Sequence, residues 1–184
     1  IDLAWRPNQS PNASLSLSTI LKGILSLFEQ MELRCVLAAP TGRAAKRLTE
    51  VTGCEASTIH RLLEAGIDPA TGQMVFVKNE NNPLKADAII VDEMSMVDIQ
   101  LLHSLLQAIP QRRRLIFVGD PDQLPPVGPG YPFSDMLRSG ILPTVRLQTI
   151  FRQAQESLIV MNAHRVNQGE LPELKVTNSD FFFM

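Results

Sequence analysis

An uninterrupted apolar run, Ala88 to Val91, is the feature that most restricts the fold of this chain. Such a run without alternation is typical of a strand in a parallel sheet that is buried on both faces. A second predicted buried strand extends from Arg114 to Gly119. Between them, an apolar stripe from Ile99 to Ile109 predicts a helix that ends at Pro110. Strands and helices that alternate in this way predict an α/β fold with a mainly parallel sheet flanked by helices.

The rest of the chain divides into further elements at turn-forming residues. Residues 6–18 are rich in Pro, Asn and Ser, so we expect residues 1–18 to be irregular and residues 19–184 to form one domain. Residues 66–86 contain two turn signals, which predict a hairpin inserted into that domain. The other predicted elements are helices over 19–31, 43–52, 58–65, 133–139 and 156–167, and strands over 34–39 and 145–147. Ser57 and Thr58 are the candidate N-caps of the helix over 58–65.

The bulk composition restricts the possible partners and compartments. A net charge of −2 gives no overall basic excess, so a nucleic-acid site has to be a local patch. Cys35 and Cys54 lack metal-type spacing and form no disulfide framework, so a reducing cytoplasm is expected. No apolar run approaches the ~20 residues that span a bilayer, so no membrane is expected. Because the sequence starts without Met and stops inside a predicted strand, we expect a piece of a longer protein.

Two adjacent carboxylates, Asp92 and Glu93, follow the first apolar run. Open α/β sheets bind their ligands at the carboxyl ends of strands, where Asp92 can hold a nucleotide-bound Mg²⁺ through oxygen. Glu93 can orient and deprotonate the water that attacks the γ-phosphate. The alternative is an exposed acidic strand end without a ligand.

Two further side chains fit the same chemistry. Gln123 lies in a polar loop after the second strand, and because it has donor and acceptor groups it can sense a terminal phosphate. Arg152 follows the predicted strand over 145–147, and its permanent charge suits a phosphoryl group in transfer. The alternatives are a turn residue for Gln123 and a surface arginine for Arg152.

Several segments, in order along the chain, together resemble a known family. They are Ala39–Ala45, Ser57–Leu63, Val91–Met96, Gly119–Pro125 and Ile150–Ala154, continued by Ala163–Arg165 and Asp180–Phe183. On these motifs the stretch from Val36 to Phe183 resembles RecD-type superfamily 1 helicases, the group that contains the alpha subunit of exodeoxyribonuclease V. The resemblance implies the first motor domain of such a helicase, with a RecA-like P-loop NTPase fold.

The activity that this resemblance implies is ATP-driven movement 5′ to 3′ along single-stranded DNA and unwinding at duplex junctions, with ATP and Mg²⁺ as cofactors. Asp92 and Glu93 match the family's metal ligand and catalytic base. Gln123 matches the residue that couples nucleotide to DNA, and Arg152 matches the γ-phosphate arginine. Other subunits of a nuclease complex are a second class of partner that the resemblance allows.

Two short segments match the family's DNA-contacting motifs. Their residues are Pro40, Thr41, Gly42, Arg43, Thr58, His60 and Arg61. Helix-start amides and these side chains can hold phosphates without contacting base edges, which predicts sequence-tolerant and salt-sensitive binding. The alternative for Arg43, and for Lys46 and Arg47 on the same helix, is a solvated helix face, and His60 can equally be a core-facing hydrogen-bonder.

One motif of the family is missing from the sequence. A motor of this kind needs a Gly-rich phosphate loop that ends in Gly-Lys-Thr at its first helix. Alignment of that helix puts Leu17, Ser18 and Thr19 there, so Ser18 and Thr19 are the predicted nucleotide contacts while Leu17 supplies no ammonium. Three explanations stay open: the loop is left out of the printed residues, the cloned piece lacks it, or the domain has diverged and lost ATP binding.

The sequence also stops before any second motor domain, so we expect this piece alone not to unwind DNA. A function from another class stays open as well. It is a RecA-like scaffold that binds single-stranded DNA or a partner subunit without hydrolysis.

Overall fold

The computed structural model describes residues 17–147, 157–174 and 180. Backbone contacts group the chain into two compact units, one comprising Leu15–Thr144 and the other comprising Ile1–Ser14 with Val145–Met184. The boundary predicted from the sequence, between an irregular segment 1–18 and one domain over 19–184, stays a prediction.

A four-stranded parallel sheet forms the centre of the unit Leu15–Thr144. In chain order the strands of this unit are β1 (Cys35–Ala39), β2 (Ala56–Thr58), β3 (Ala65–Ile67), β4 (Met74–Phe76), β5 (Ala88–Val91) and β6 (Arg114–Phe117). Four of them pair in parallel in the spatial order β2-β1-β5-β6. All four carboxyl ends therefore lie at one edge of the sheet, and the predicted mainly parallel sheet is confirmed.

Helices cover the sheet. They are α1 (Leu17–Gln30), α2 (Gly42–Thr52), α3 (Ile59–Leu62), α4 (Ile99–Ala108) and α5 (Pro132–Ser139), with a single 3₁₀ turn at Met94–Met96. Three of them begin with a side-chain cap, in which Thr41, Thr58 and Asp98 accept a hydrogen bond from a backbone N–H three residues on. The cap of α3 confirms Thr58 as the predicted N-cap.

Burial of β5 on both faces holds the layers together. All four of its residues are buried, and successive side chains point to opposite faces. Ile89 belongs to the core cluster that contains Leu105 of α4, whereas Ile90 belongs to the cluster that contains Leu21 of α1. The uninterrupted apolar run thus fills two cores at once, as its sequence predicts.

In the segment predicted as an insertion over 66–86, β3 and β4 form a shorter antiparallel hairpin, in which Ala65 is paired with Phe76; the bounds of the insertion stay a prediction. At its turn the Asp68 carboxylate accepts a hydrogen bond from the Ala70 N–H at 2.8 Å. Gly72 has φ +69°, a backbone conformation that glycine adopts without a steric penalty. The turn residues of the sequence therefore mark this hairpin correctly.

Three predicted elements differ from the structure. Arg114–Gly119 is predicted as a buried strand, but β6 ends at Phe117 and is partly exposed because β5 is its only partner among the described strands. The predicted helix over 58–65 ends at Leu62, because Ala65 pairs in the hairpin. The predicted strand over 145–147 does not form, since these described residues have no strand partner and Val145 is 88% exposed.

In the second unit, polar contacts hold the start and the middle of helix α6 (Leu158–Asn167). Asp180 accepts hydrogen bonds from the Ser157 hydroxyl and from the Leu158 N–H, and the Ser157 bond is the main reason that the pKa of Asp180 is lowered. Buried Asn162 exchanges two hydrogen bonds with the backbone of Glu173, at 3.0 and 2.7 Å.

The two neighbouring leucines Leu105 and Leu106 of α4 test the assignment of the core. Leu105 is 0% exposed and Leu106 is 47% exposed. We expect Leu105→Ala to lower the free energy of unfolding by about 2–5 kcal/mol, since it leaves a cavity. Leu106→Ala, the matched control, should change it by no more than about 0.5 kcal/mol. Urea unfolding followed by circular dichroism measures both, and equal losses would contradict the assignment.

Candidate functional site

The carboxyl ends of the parallel strands bring the predicted motifs to one edge of the sheet. Ala39 of β1 is in register with Thr58 of β2, and Val91 of β5 is in register with Phe117 of β6. The chain leaves β1 towards β2 on one side and leaves β5 towards β6 on the other. Asp92 thus leaves the sheet where the strand order reverses, which is where open α/β sheets bind ligands.

Backbone geometry fixes the two carboxylates. The Asp92 N–H donates to the Ala38 carbonyl at 2.9 Å, which extends the β1–β5 pairing by one residue. The Asp92 Oδ1 atom accepts a hydrogen bond from the Glu93 N–H at 2.9 Å. Glu93 itself is left-handed, with φ 55° and ψ 41°. A non-glycine residue in this region carries strain, and such strain clusters at functional sites.

The Asp92 carboxyl lies in a partly dry environment. Burial raises its pKa, while the hydrogen bond from the Glu93 N–H and the charge of Arg47 act in the opposite direction. A carboxylate that has lost solvent and gained little compensation is a suitable oxygen ligand for a divalent cation, whose charge favours the ionised form. The donor chemistry at Asp92 therefore fits Mg²⁺.

A tight loop after β6 carries Gln123 towards the carboxylates. The Ser95 hydroxyl, fully buried in the 3₁₀ turn after Glu93, donates to Gln123 Oε1 at 3.4 Å. The Tyr131 hydroxyl donates to the carbonyl oxygens of Pro121 and Gln123, at 2.9 and 3.2 Å. The backbone and the side chain of Gln123 are thus both held.

Gly119 permits the close packing of this loop. A Cβ atom at Gly119 would lie 3.0 Å from Cε1 of Phe133 and 3.1 Å from the Met94 nitrogen. The Met94 N–H donates to the Val118 carbonyl at 2.9 Å, so the two strand ends are joined directly. A side chain at position 119 would push the Gln123 loop away from Glu93.

A cleft of about 300 Å³ lies in front of these residues. Asp92, Glu93 and Gln123 line it together with Ser18 of α1 and Arg47 of α2. Thr19 follows Ser18 in the first turn of α1 and is not among the lining residues. Leu17, which the resemblance aligns with the end of the family's phosphate loop, also lines the cleft and is 42% exposed. Four of the predicted nucleotide and catalytic residues are thus brought together.

The predicted DNA-contacting threonines both have structural roles as caps. The Thr41 hydroxyl accepts from the Ala44 N–H at 3.2 Å, and the Thr58 hydroxyl accepts from the Arg61 N–H at 3.1 Å. Pro40 precedes the first of these caps at the end of β1 and is partly exposed. Because β1 and β2 are neighbours, the two capped helices start side by side at the same edge of the sheet.

The arginines of these two helix starts are exposed, whereas the histidine is partly buried. Gly42, Arg43 and Arg61 are exposed. His60 is partly buried, and its ring centroid lies 5.9 Å from that of Phe76 at an interplanar angle of 47°. Part of its surface is therefore used to pack α3 against the hairpin, and its contact with DNA stays a prediction.

Arg152, the predicted γ-phosphate arginine, lies outside the described residues. The sequence motifs do not indicate Ser95 and Tyr131 as site residues, and they indicate Arg47 only as part of the basic start of α2, beside the DNA-contacting motif. Ser95 could have been noticed as the one polar residue between Met94 and Val97, but Tyr131 and Arg47 reach the site from distant segments.

Two features are absent from the described part of the chain. No helix there is long and apolar enough to cross a membrane. No group of three or more His, Cys, Asp or Glu side chains capable of holding a metal ion occurs there.

The chain is similar to known proteins in sequence. A family model described as an AAA domain matches residues 17–129. The ATP-dependent RecD2 DNA helicase of Deinococcus radiodurans is 43% identical over 155 residues, which cover 84% of this chain and 21% of that protein. The RecBCD enzyme subunit RecD of Mycolicibacterium smegmatis is 34% identical over 176 residues, which cover 83% of this chain and 31% of that protein. The chain therefore spans less than a third of either relative.

The chain is also similar to a solved structure. The Pif1 helicase from Bacteroides in complex with ADP-AlF3 and ssDNA matches with a TM-score of 0.51 and 24% identity. The match covers 84% of this chain and 40% of that one. At this identity the likeness bears on the fold alone, and the predicted RecA-like fold class is confirmed.

The raised pKa of Asp92 leads to a prediction for stability. Its folded-state pKa lies above the ordinary carboxyl value, so the folded protein binds the extra proton and loses stability as pH rises through that window. Asp92→Asn should therefore raise the urea midpoint at pH 7, with a gain that shrinks as pH falls towards the ordinary carboxyl range. Exposed Asp122→Asn is the control. A midpoint lowered at pH 7 by Asp92→Asn would contradict the assigned environment.

Proposed function

This chain belongs to the AAA domain family and is a RecD-type superfamily 1 motor domain, and from this premise we propose that it supplies the ATP-hydrolysing part of a DNA helicase. The observation that supports the proposal most is the convergence of Asp92, Glu93 and Gln123 on one cleft at the switch point of the sheet.

In the proposed mechanism Asp92 holds the Mg²⁺ that accompanies the nucleotide, directly or through water. Mg²⁺ held by Asp92 would supply positive charge that offsets the negative charge of the nucleotide phosphates. Ser18 lines the cleft on the first turn of α1. It is proposed to donate to a phosphate or to share the cation. Thr19 is proposed as a second contact of this turn, on the alignment of its helix alone.

Glu93 orients and deprotonates the attacking water. Its left-handed backbone turns the chain sharply after Asp92, so that the side chains of Asp92 and Glu93 both line the cleft. A strand that continued past Asp92 would point them to opposite faces of the sheet. The strain at Glu93 therefore has a chemical use.

Gln123 senses the γ-phosphate. Because its Oε1 accepts from Ser95, its two Nε2–H groups are left as donors for a phosphate oxygen. Arg152 is proposed to contact the same phosphate on the resemblance of its segment alone.

The DNA site is proposed at the two capped helix starts. Exposed Arg43 and Arg61 lie at neighbouring helix starts at the edge of the sheet, with Thr41 and Thr58 holding the backbone in shape. The proposed partners are single-stranded DNA, duplex junctions and other subunits of a nuclease complex. Movement 5′ to 3′ and a cytoplasmic location are proposed on the same resemblance.

A second candidate function rests on Leu17. Where the family has the lysine that bridges the β- and γ-phosphates, this sequence has an aliphatic side chain. A RecA-like scaffold that binds single-stranded DNA or a partner without hydrolysis would need no ammonium there.

Substitution of the proposed base separates the two functions. In the full-length protein, Glu93→Gln should lower single-strand-stimulated ATP hydrolysis about 10²–10⁴-fold, because Gln keeps the shape but cannot accept the proton. Nucleotide binding should persist. The matched control is Glu55→Gln, an exposed glutamate beyond the end of α2. Hydrolysis that is absent from the unmodified protein, or unaffected by Glu93→Gln, would favour the scaffold.

The salt dependence of DNA binding tests the proposed phosphate contacts. In the full-length protein, changing both Arg43 and Arg61 to Ala should weaken binding to oligo-dT and reduce the slope of log K against log salt by about 0.7 per lost contact. Fluorescence anisotropy at several salt concentrations measures this slope. Arg114→Ala removes one charge from the amino end of β6, at the opposite edge of the sheet, and should leave the slope unchanged. Equal slopes for all variants would exclude the two arginines from the site.

A further inference from the structure

Arg47 of α2 faces the proposed nucleotide cleft. Four α2 residues line that cleft at the spacing of one helix face, namely Ala44, Arg47, Leu48 and Val51. Leu48 is buried at 2% exposure and fixes this face against the core, while Arg47 is exposed. The Arg47 side chain therefore extends from a fixed helix into the open part of the cleft.

The guanidinium of Arg47 is not used by the fold around it. Within the described residues it makes no hydrogen bond and no ion pair inside 4 Å. It interacts electrostatically with Asp92, where its charge acts to lower the pKa that burial raises. Its neighbour Lys46, by contrast, lies 4.0 Å from Glu50 on the outer side of the helix and is absent from the cleft. Arg47 is thus a positive charge held near the carboxylates without a tight contact.

The cleft contains more acidic than basic side chains, so a bound nucleotide would benefit from this cation. Among the described lining residues the acidic ones are Asp92, Glu93 and Asp120, and the basic one is Arg47. Leu17 adds no charge where the family has a lysine. A nucleotide brings several further negative charges, and Mg²⁺ at Asp92 compensates only part of the total.

We propose that Arg47 binds the phosphates of the nucleotide in this cleft. A guanidinium is always charged, and its planar donors match two phosphate oxygens at once. Arg47 would then do part of the work that the missing lysine does elsewhere in the family. The proposal rests on the proposed nucleotide site and adds a residue to it.

Equilibrium binding of nucleotides with different numbers of phosphates tests this role. The full-length protein with Mg²⁺ is titrated with ATPγS, ADP and AMP, in competition with a fluorescent ATP analogue. We expect Arg47→Ala to weaken ATPγS about ten- to hundredfold, the loss of a hydrogen bond between charged groups, and to weaken AMP least. The ATPγS affinity of Arg47→Lys should lie between those of the unmodified protein and Arg47→Ala, because lysine keeps the charge but lacks the paired planar donors of a guanidinium. Lys46→Ala, the matched control, should bind all three like the unmodified protein.

The outcomes separate this proposal from the proposed function. If the unmodified protein binds nucleotide and Arg47→Ala binds it equally well, Arg47 is excluded while the nucleotide site stands. If the unmodified protein binds none, both fail. If Arg47→Ala weakens all three nucleotides equally and also lowers the melting temperature without nucleotide, the residue is structural and the proposal is overturned. A loss that grows with the number of phosphates, at an unchanged melting temperature, supports it.

Discussion

The burial of β5 between two hydrophobic clusters is the constraint on which the rest of the structure depends. Its four residues fill both faces of the sheet, and its backbone pairs with β1 and β6 at once. No freedom is left along this strand, so the position of its last residue, Val91, is fixed to within the packing tolerance of the core. Asp92 follows directly and leaves at the edge where β1 and β6 also end. The fully buried strand β5 therefore sets the place of the carboxylate.

The site lowers the stability of the structure that holds it. Burial disfavours the charged form of Asp92, and Glu93 adopts a left-handed backbone that a β-carbon disfavours. Met94 and Val97, both at 0% exposure, surround this turn and belong to the same core cluster as Val91. Core packing thus holds a strained turn in place, and the link from Ser95 to Gln123 carries that order to the next loop.

The sequence predicts the features that depend on local patterns. The apolar run of β5, the stripe of α4, the hairpin turn at Asp68 and the Thr58 cap each follow from neighbouring residues, and all four are present. Features that depend on distant partners could not be predicted. The partial exposure of β6 depends on which strands flank it. The Tyr131 hydroxyl bonds to backbone carbonyls of the Gln123 loop. The two are separated by a glycine-rich segment without apolar periodicity, so the contact has no local sequence signal.

Local conflicts with an otherwise consistent fold are informative about function. A scaffold that only held DNA would need the capped helix starts beside Thr41 and Thr58, but neither a desolvated Asp92 nor a left-handed Glu93. Both lower the stability of the fold, and such departures from local rules are expected at functional sites. A cation at Asp92 and a phosphate beside Arg47 would compensate the burial of the carboxylate and use the charge that the fold leaves without a tight contact. The buried Asp92 and the left-handed Glu93 after β5 therefore favour a nucleotide-binding function over a scaffold that binds none. They do so even though Leu17 occupies the position where a lysine would be expected.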